Sequence, residues 1–311
     1  MLSPTVLSLT EDDVRRRLDP LAVISALERG FRERFDSFLI PPRAQMPIAE
    51  GIFLIMPCYD RSGNALGMKL VTVQSNSARS DERIQATYIL FETATACPKL
   101  ILPANYLTDL RTAAASALAT KILARPDVRV LGLFGTGRQA RAHLKVLPLV
   151  RRFQRVLVCG KDLGRSRAFA QDMSAHSTLS IEPADARTCA AESDVICTCT
   201  NSETPLFDGK LLRPGTHLNL VGAFQPHTRE VDTDTIARAR VVVDTHDGAL
   251  GEAGDLLIPL QEGRISREHV LADLHQLVSG RIPVRRDTAD ITVFKSVGCS
   301  LEDLVTAELL L

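Results

Sequence analysis

The chain has 311 residues, 45% of them apolar and 24% charged, the composition of an ordinary globular protein long enough for two cores. Lys plus Arg and Asp plus Glu both count 37, so no global field favours nucleic acid or a membrane surface. No stretch approaches the ~20 apolar residues that span a bilayer, and the opening MLSPTVLSLTEDDVRRRLD lacks the basic start and apolar run of a signal peptide. The 7 cysteines have no metal-like spacing, so no metal is expected. Cys197 and Cys199, in SDVICTCT, alternate onto one face of a strand and read as buried structural thiols of a reducing, cytoplasmic setting.

In chain order, Thr10-Glu11-Asp12-Asp13 is a capping-box-like helix start, and residues 20–34 carry apolar groups at helical spacing. After Pro41-Pro42 the pattern changes to short β-rich runs at 52–59, 66–74 and 84–92, which predict an antiparallel meander. Thr108-Asp109-Leu110-Arg111 then opens the alanine-rich helix TAAASALATKILA. From Val128 the text alternates strand, glycine turn, helix and strand. Strands are expected at 128–134, 155–159, 194–200, 217–221 and 240–244. The runs VLGLF and VLVC are apolar throughout, as in parallel strands covered on both faces.

The segment VRVLGLFGTGRQARAHL places a buried strand before Gly135-Thr136-Gly137-Arg138-Gln139-Ala140 and an amphipathic helix after it. Gly135 permits a tight turn, Gly137 lets backbone approach a pyrophosphate, and Ala140 is small where helix and strand pack. Phosphates would meet N–H groups at a helix start, where the macrodipole also favours anions. This pattern predicts a Rossmann dinucleotide site. About 20 residues further on, where NAD enzymes usually carry an acid, the chain reads Cys159-Gly160-Lys161-Asp162. Asp162 is a displaced candidate for the ribose carboxylate. Lys161, with Arg165 and Arg167 behind it, offers cations for a 2′-phosphate, so NADP(H) is favoured over NAD(H).

Three cations are candidates for the substrate side. Lys69 shares a strand face with Val71 and Val73, which reads either as a functional lysine or as an edge residue reaching water. Arg111 falls in the expected first turn of its helix, where the dipole disfavours a cation unless a carboxylate sits between them. Arg43 follows two prolines.

Taken together, these residues resemble the ornithine cyclodeaminase/μ-crystallin family. The matching text is PPRAQMP at 41–47, GMKLVTV at 67–73, TDLRTAAASALATK at 108–121, LGLFGTGRQARAHL, PGTHLNLVGAFQPHTREVD at 214–232 and ITVFKSVG at 291–298. The resemblance implies an α/β fold with a Rossmann NAD(P)-binding domain at 116–292. A β-rich α+β substrate and dimerisation domain would comprise 1–115 with 293–311, and the protein would be a homodimer. It also implies that Arg43, Lys69 and Arg111 hold a substrate carboxylate and lie close to the reacting carbon, with Lys69 and Arg111 as the catalytic pair. Thr198, Val221 and Ser296 would lie near the nicotinamide ribose and ring.

One departure from the family pattern changes the expected chemistry. True cyclodeaminases carry an aspartate two residues before the proline of the segment Val221-Gly222-Ala223-Phe224-Gln225-Pro226. Phe224 stands there, and a phenyl ring neither accepts a proton nor pairs with an ammonium. Glu230 and Asp232, downstream in the segment, are the acids that could substitute. Members without the aspartate are similar to ketimine reductases. The expectation is therefore NAD(P)H-dependent reduction of a small cyclic ketimine carboxylate, Δ1-pyrroline-2-carboxylate or Δ1-piperideine-2-carboxylate, to L-proline or L-pipecolate. The proton would come from Lys69, His227 or water. The alternatives are an ornithine cyclodeaminase or alanine-type dehydrogenase, and an NADP-dependent small-ligand binder resembling μ-crystallin.

Overall fold

Alternation of buried and exposed side chains organises the first part of the chain. The computed structural model describes residues 6–74 and 84–311. The chain divides into two units, one holding the residues up to Ala114 together with Gly298–Leu311, the other Ala115–Val297.

The first unit contains β1 (Leu7–Ser8), β2 (Phe38–Leu39), β3 (Ala44–Ile48), β4 (Gly51–Asp60), β5 (Ala65–Gln74), β6 (Ile84–Glu92) and β7 (Cys97–Pro103). They form a sheet in the order β1-β7-β6-β5-β4-β2, with β3 also on β4. The three anticipated strands are its centre, and β3 and β7 extend the meander. Pairing of Met56 with Lys69 and of Lys69 with Tyr88 puts Met56, Lys69 and Tyr88 in one row across the buried face. Helices α1 (Glu11–Arg17) and α2 (Pro20–Arg29) belong to this unit, and a π turn at Gly30–Arg34 prolongs α2. Thr10 caps α1 in a capping box with Asp13, and Asp19 caps α2 ahead of its first-turn proline. The C-terminal helix Ser300–Ala307 is buried at every residue and packs on β4, β5, β6 and α2.

Helix α3 (Asn105–Leu123) follows β7 directly, and the division between the units falls within it. It begins three residues before the expected Thr108, with Thr108 N already donating to Ala104 O.

The second unit holds eight strands: β8 (Val130–Phe134), β9 (Arg155–Cys159), β10 (Ser180–Pro183), β11 (Val195–Thr198), β12 (His217–Leu220), β13 (Arg240–Val243), β14 (Val270–Asp273) and β15 (Thr292–Lys295). All are parallel, in the order β10-β9-β8-β11-β12-β15-β13-β14. Helices α4 (Arg138–Val146), α5 (Leu163–Ser174), α6 (Ala186–Glu192), α7 (Thr233–Arg238), α8 (His246–Glu252) and α9 (Gly254–Gln261) occur among them. Leu131, Leu133, Val156, Val158, Ile196, Leu218, Val241 and Val293 are fully buried, which is why these strands read as continuous apolar runs. Strand order reverses between β8 and β11, so their carboxyl ends border the crevice where such sheets bind ligands. Strand β15 was expected to lie mostly with the substrate domain. It instead pairs with β12 and β13, because TVFK is buried at all four positions and completes this sheet. Among the described residues no helix is long and apolar enough to cross a membrane.

Candidate functional site

The glycine turn is built as its spacing predicts. Gly135 has φ +112°, and a Cβ there would come 2.6 Å from Cys199 O, so a side chain would be both strained and blocked. Its N–H donates to Cys159 O at 2.8 Å. Gly137 is the N-cap of α4; no side chain caps that helix, and nothing lies within 4 Å of a Cβ built on Gly137. Thr136 precedes the cap, and Arg138 and Gln139 form the first turn. A helix start without a side-chain cap, approached across an open glycine, fits a pyrophosphate.

At the tip of β9 no carboxylate appears. Asp162 is the N-cap of α5, its Oδ1 accepting from Arg165 N at 2.8 Å, and Arg165 Nε lies 3.6 Å from its Oδ2. The displaced ribose candidate is therefore occupied with capping. Lys161, Arg165 and Arg167 are exposed.

Thr198, Val221 and Ser296 come to the carboxyl ends of three neighbouring strands, β11, β12 and β15. Thr198 Oγ1 donates to Glu230 Oε2 at 2.7 Å, Val221 N donates to Thr198 O, and Ser296 Oγ donates to Asp244 Oδ2 at 3.2 Å. Glu230 is fully buried and also accepts from Thr200 N, Thr200 Oγ1 and Gly222 N, each at 2.7 Å. Burial pushes its carboxyl above the ordinary range. Asp232 caps α7, accepting from Thr235 N and Gly209 N, both at 2.8 Å. Neither acid is a spare base, so the expectation that one could replace the missing aspartate is corrected. Phe224 is half-buried in the loop after β12, and His227 is exposed.

The first unit holds a second constellation. Lys69 is 1% exposed and sits on β5 between β4 and β6, so it is not an edge lysine reaching water. Its Nζ donates to Asp303 Oδ1 at 2.8 Å. Arg111 Nε donates to the same oxygen at 2.9 Å, and its Nη1 donates to Glu302 Oε2 at 2.7 Å. Arg111 is the seventh residue of α3 rather than a first-turn residue, so its partners are these carboxylates and not a helix terminus. Gly298, with φ +81°, closes over the guanidinium; a Cβ there would be 2.6 Å from Arg111 Nη1. Burial, helped by the charge of Arg111, pulls Lys69 down to about 8 against the opposing pull of Asp303 and Glu302. Tyr88, level with Lys69 on β6, has a buried hydroxyl with no hydrogen-bond partner among the described residues. Arg43 is half-buried just ahead of β3.

Lys69 and Arg111 are thus brought together by Asp303. Sequence reasoning missed both Glu302 and Asp303. Their only local signal is a pair of adjacent acids in the mostly apolar SLEDLVTAELL, which also reads as ordinary acidic residues in a helix's first turn. Arg111 uses its Nε and one Nη1 N–H, and Lys69 one of three ammonium protons, so donors remain for an anion.

Known proteins resemble this chain over nearly its whole length. The sequence pattern of the ornithine cyclodeaminase/mu-crystallin family matches residues 5–311. The Delta(1)-pyrroline-2-carboxylate reductase of Bacillus cereus strain ZK / E33L is 36% identical over 277 residues, covering 88% of this chain and 85% of that protein. The ketimine reductase mu-crystallin of Macropus fuliginosus is 32% identical, covering 97% and 95%. Among solved structures, Thermococcus litoralis Delta(1)-pyrroline-2-carboxylate reductase in complex with NADH and L-proline superposes with a TM-score of 0.95. It is 33% identical, over 98% of this chain and 96% of that one.

Proposed function

Because the chain belongs to the ornithine cyclodeaminase/mu-crystallin family, we propose that it is an NAD(P)H-dependent reductase of a small cyclic ketimine carboxylate, converting Δ1-pyrroline-2-carboxylate or Δ1-piperideine-2-carboxylate to L-proline or L-pipecolate. The observation that carries this reading is the pair Lys69 and Arg111, buried, joined by Asp303 and left with unused donors.

In this account Arg111 receives the substrate carboxylate, with Lys69 and Arg43 as further cations. Asp303 and Glu302 hold the Lys69 and Arg111 side chains in fixed rotamers, which removes the entropy that two long chains would otherwise lose on binding. Lys69 Nζ, with its pKa at about 8, keeps a proton at neutral pH yet releases it readily, and donates it to the imine nitrogen. Phe224 presents an apolar wall that suits the methylene edge of a ring and offers nothing to the distal ammonium of ornithine. Gly135, Thr136, Gly137, Arg138 and Gln139 hold the pyrophosphate, while Thr198, Val221 and Ser296 border the nicotinamide ribose and ring. The bound nicotinamide supplies hydride.

A preference for NADP(H) over NAD(H) is supported by the tip of β9, where Asp162 caps a helix and Lys161 is exposed. Replacing Lys161 with Asp should cost NADPH about 1–3 kcal/mol of apparent binding and favour NADH. A wild-type protein that already prefers NADH contradicts the assignment. A homodimer is supported by Leu39, Met46 and Ile48, which are 45%, 52% and 38% exposed on β2 and β3. Light scattering should return a two-chain mass; a one-chain mass at micromolar concentration overturns it. Seven cysteines outside any disulfide support a reducing cytoplasm.

The functional test is a substrate panel followed by NADPH and NADH consumption. Pyrroline- and piperideine-2-carboxylate should be reduced well above pyruvate plus ammonia, and ornithine should release ammonia very slowly. Comparable ammonia release from ornithine would make the chain a cyclodeaminase. Tight NADPH binding with no oxidation by any imine would make it a ligand binder.

A further inference from the structure

Behind the Gly135 turn lies a group of side chains that the proposed reaction does not use. His143, fully buried on α4, faces Cys197 on β11 and Cys199 immediately after it. One ligand atom from each of the three lies within 4.8 Å of the others, and His143 Nδ1 is 3.8 Å from Cys199 Sγ. Cys197 is buried and Cys199 partly exposed.

One feature argues against inert thiols. The imidazole is already oriented from behind: His143 Nε2 is 2.9 Å from Ser116 Oγ, the kind of outer contact that fixes a metal-binding histidine. Nδ1 also lies 2.8 Å from Gln139 O, so in one tautomer Nδ1–H donates there while the Ser116 hydroxyl donates to Nε2. In the other tautomer Nε2–H donates to Ser116 Oγ, and the Nδ1 lone pair becomes available to a metal once the ring gives up its contact with Gln139 O. Nor is a disulfide a ready product. Cys199 N still donates to Phe134 O, so the extended ladder runs on past β11; residues i and i+2 of such a chain are about 6.6 Å apart with parallel Cβ directions, whereas a disulfide needs Cβ atoms about 3.5–4.5 Å apart.

We infer that His143, Cys197 and Cys199 form a binding site for a thiophilic three-coordinate cation of the monovalent-copper class. Two thiolates and an imidazole are a soft donor set. Among the described residues no fourth His, Cys, Asp or Glu joins the group, whereas a structural zinc site wants four ligands. On binding, the two S–H bonds break and their protons go to solvent. Two metal–sulfur bonds and one metal–nitrogen bond form, and copper supplied as Cu(I) keeps its oxidation state. Cys199 N donates to Phe134 O, and Cys199 O lies where a Gly135 Cβ would point. A sulfur drawn onto an ion therefore displaces the backbone that shapes the turn, and dinucleotide affinity falls. This consequence, unlike the site itself, rests on the nucleotide reading above.

The test uses the full-length reduced protein under anaerobic conditions. Cu(I) is titrated against a competing chelator, and X-ray absorption is recorded on the loaded wild type. One equivalent should bind, with two sulfurs and one nitrogen around the metal, and Cys197→Ser and Cys199→Ser should each weaken binding at least about tenfold. Cys58→Ser should change nothing. Coordination by sulfur alone or by oxygen in the wild type overturns the site, whatever the variants do, as does an affinity indifferent to both Cys197→Ser and Cys199→Ser. NADPH and NADH binding are measured on both forms. Equal affinity with and without copper overturns the coupling. Failure of the metal-free protein to bind either NADPH or NADH overturns the nucleotide reading and leaves the absorption result to judge the site.

Discussion

Both units bury a lysine against an aspartate, but the surroundings of the two pairs differ. Lys295 and Asp255 lie 3.0 Å apart with no exposed side-chain surface. Asp255 also accepts from Glu230 N and Val231 N, and Lys295 donates to Ala223 O at 2.5 Å. That pair is therefore a brace, tying the loop after β12 and the segment before α7 to β15. Lys69 and Asp303 lie 2.8 Å apart and are equally buried, yet among the described residues Lys69, Arg111 and Asp303 bond through their side chains only to other side chains. Ion clusters that hold no backbone are often no more stable than an apolar replacement. Burial and charge are alike in the two places; the unused donors and the missing backbone partners separate a candidate site from a scaffold.

The comparison breaks most visibly if the two lysines are exchanged for methionine. Lys69→Met should leave a folded protein whose kcat for ketimine reduction falls by about 10²–10⁴, the usual range for a lost acid–base group. Lys295→Met should show the reverse: about 3–5 kcal/mol of stability lost in denaturant unfolding, because Asp255 is left buried without its cation. Turnover per folded molecule should be largely kept. If both variants lose stability and both keep turnover, the first cluster is also a brace.

A subtler test is pH. Lys69 releases its proton at about 8 rather than at the ordinary 10.5, so kcat/KM should fall as pH rises through about 8. In Asp303→Asn the carboxylate that favours the charged ammonium is gone, and the limb should move to lower pH. A limb that stays in place shows that another group titrates. The same shift has a stability consequence. Between about 8 and 10.5 the unfolded chain holds a proton that the folded chain has lost, so this lysine's contribution to stability rises with pH in that window. The smallest effect is expected next to the brace: Glu230→Gln should cost about 1–3 kcal/mol through the donors of Thr198, Thr200 and Gly222, leaving kcat/KM for ketimine close to wild type.

How much of this was legible depended on how local each signal is. The turn Gly135–Gly137 with β8 and β9 could be read directly, because a strand buried on both faces and a glycine-capped helix announce themselves within twenty residues. The capping box and the meander centre are local too. The partners of Lys69 and Arg111 are not: Asp303 is 234 and 192 positions away from them. An acid at a helix start carries no mark of what it faces. The same limit hid β15, whose place between β12 and β13 follows from sheet order rather than from its own four residues, and the grouping of His143 with the two thiols. Arg111 was singled out for the wrong reason. Its helix begins at Asn105, and the oddity of the residue lies in its burial, which no first-turn argument could supply.

The central claim is that the buried cations of the first unit read a substrate carboxylate. It is tested most directly by comparing reduction of Δ1-pyrroline-2-carboxylate with that of 1-pyrroline, which lacks the carboxylate, in wild type and in Arg111→Lys. Lysine keeps the charge and loses the fork. Wild type should strongly prefer the carboxylated ring, and the variant should lose most of that preference while NADPH affinity stays unchanged. Equal kcat/KM for the two rings in wild type, or a variant that slows both equally, would contradict it.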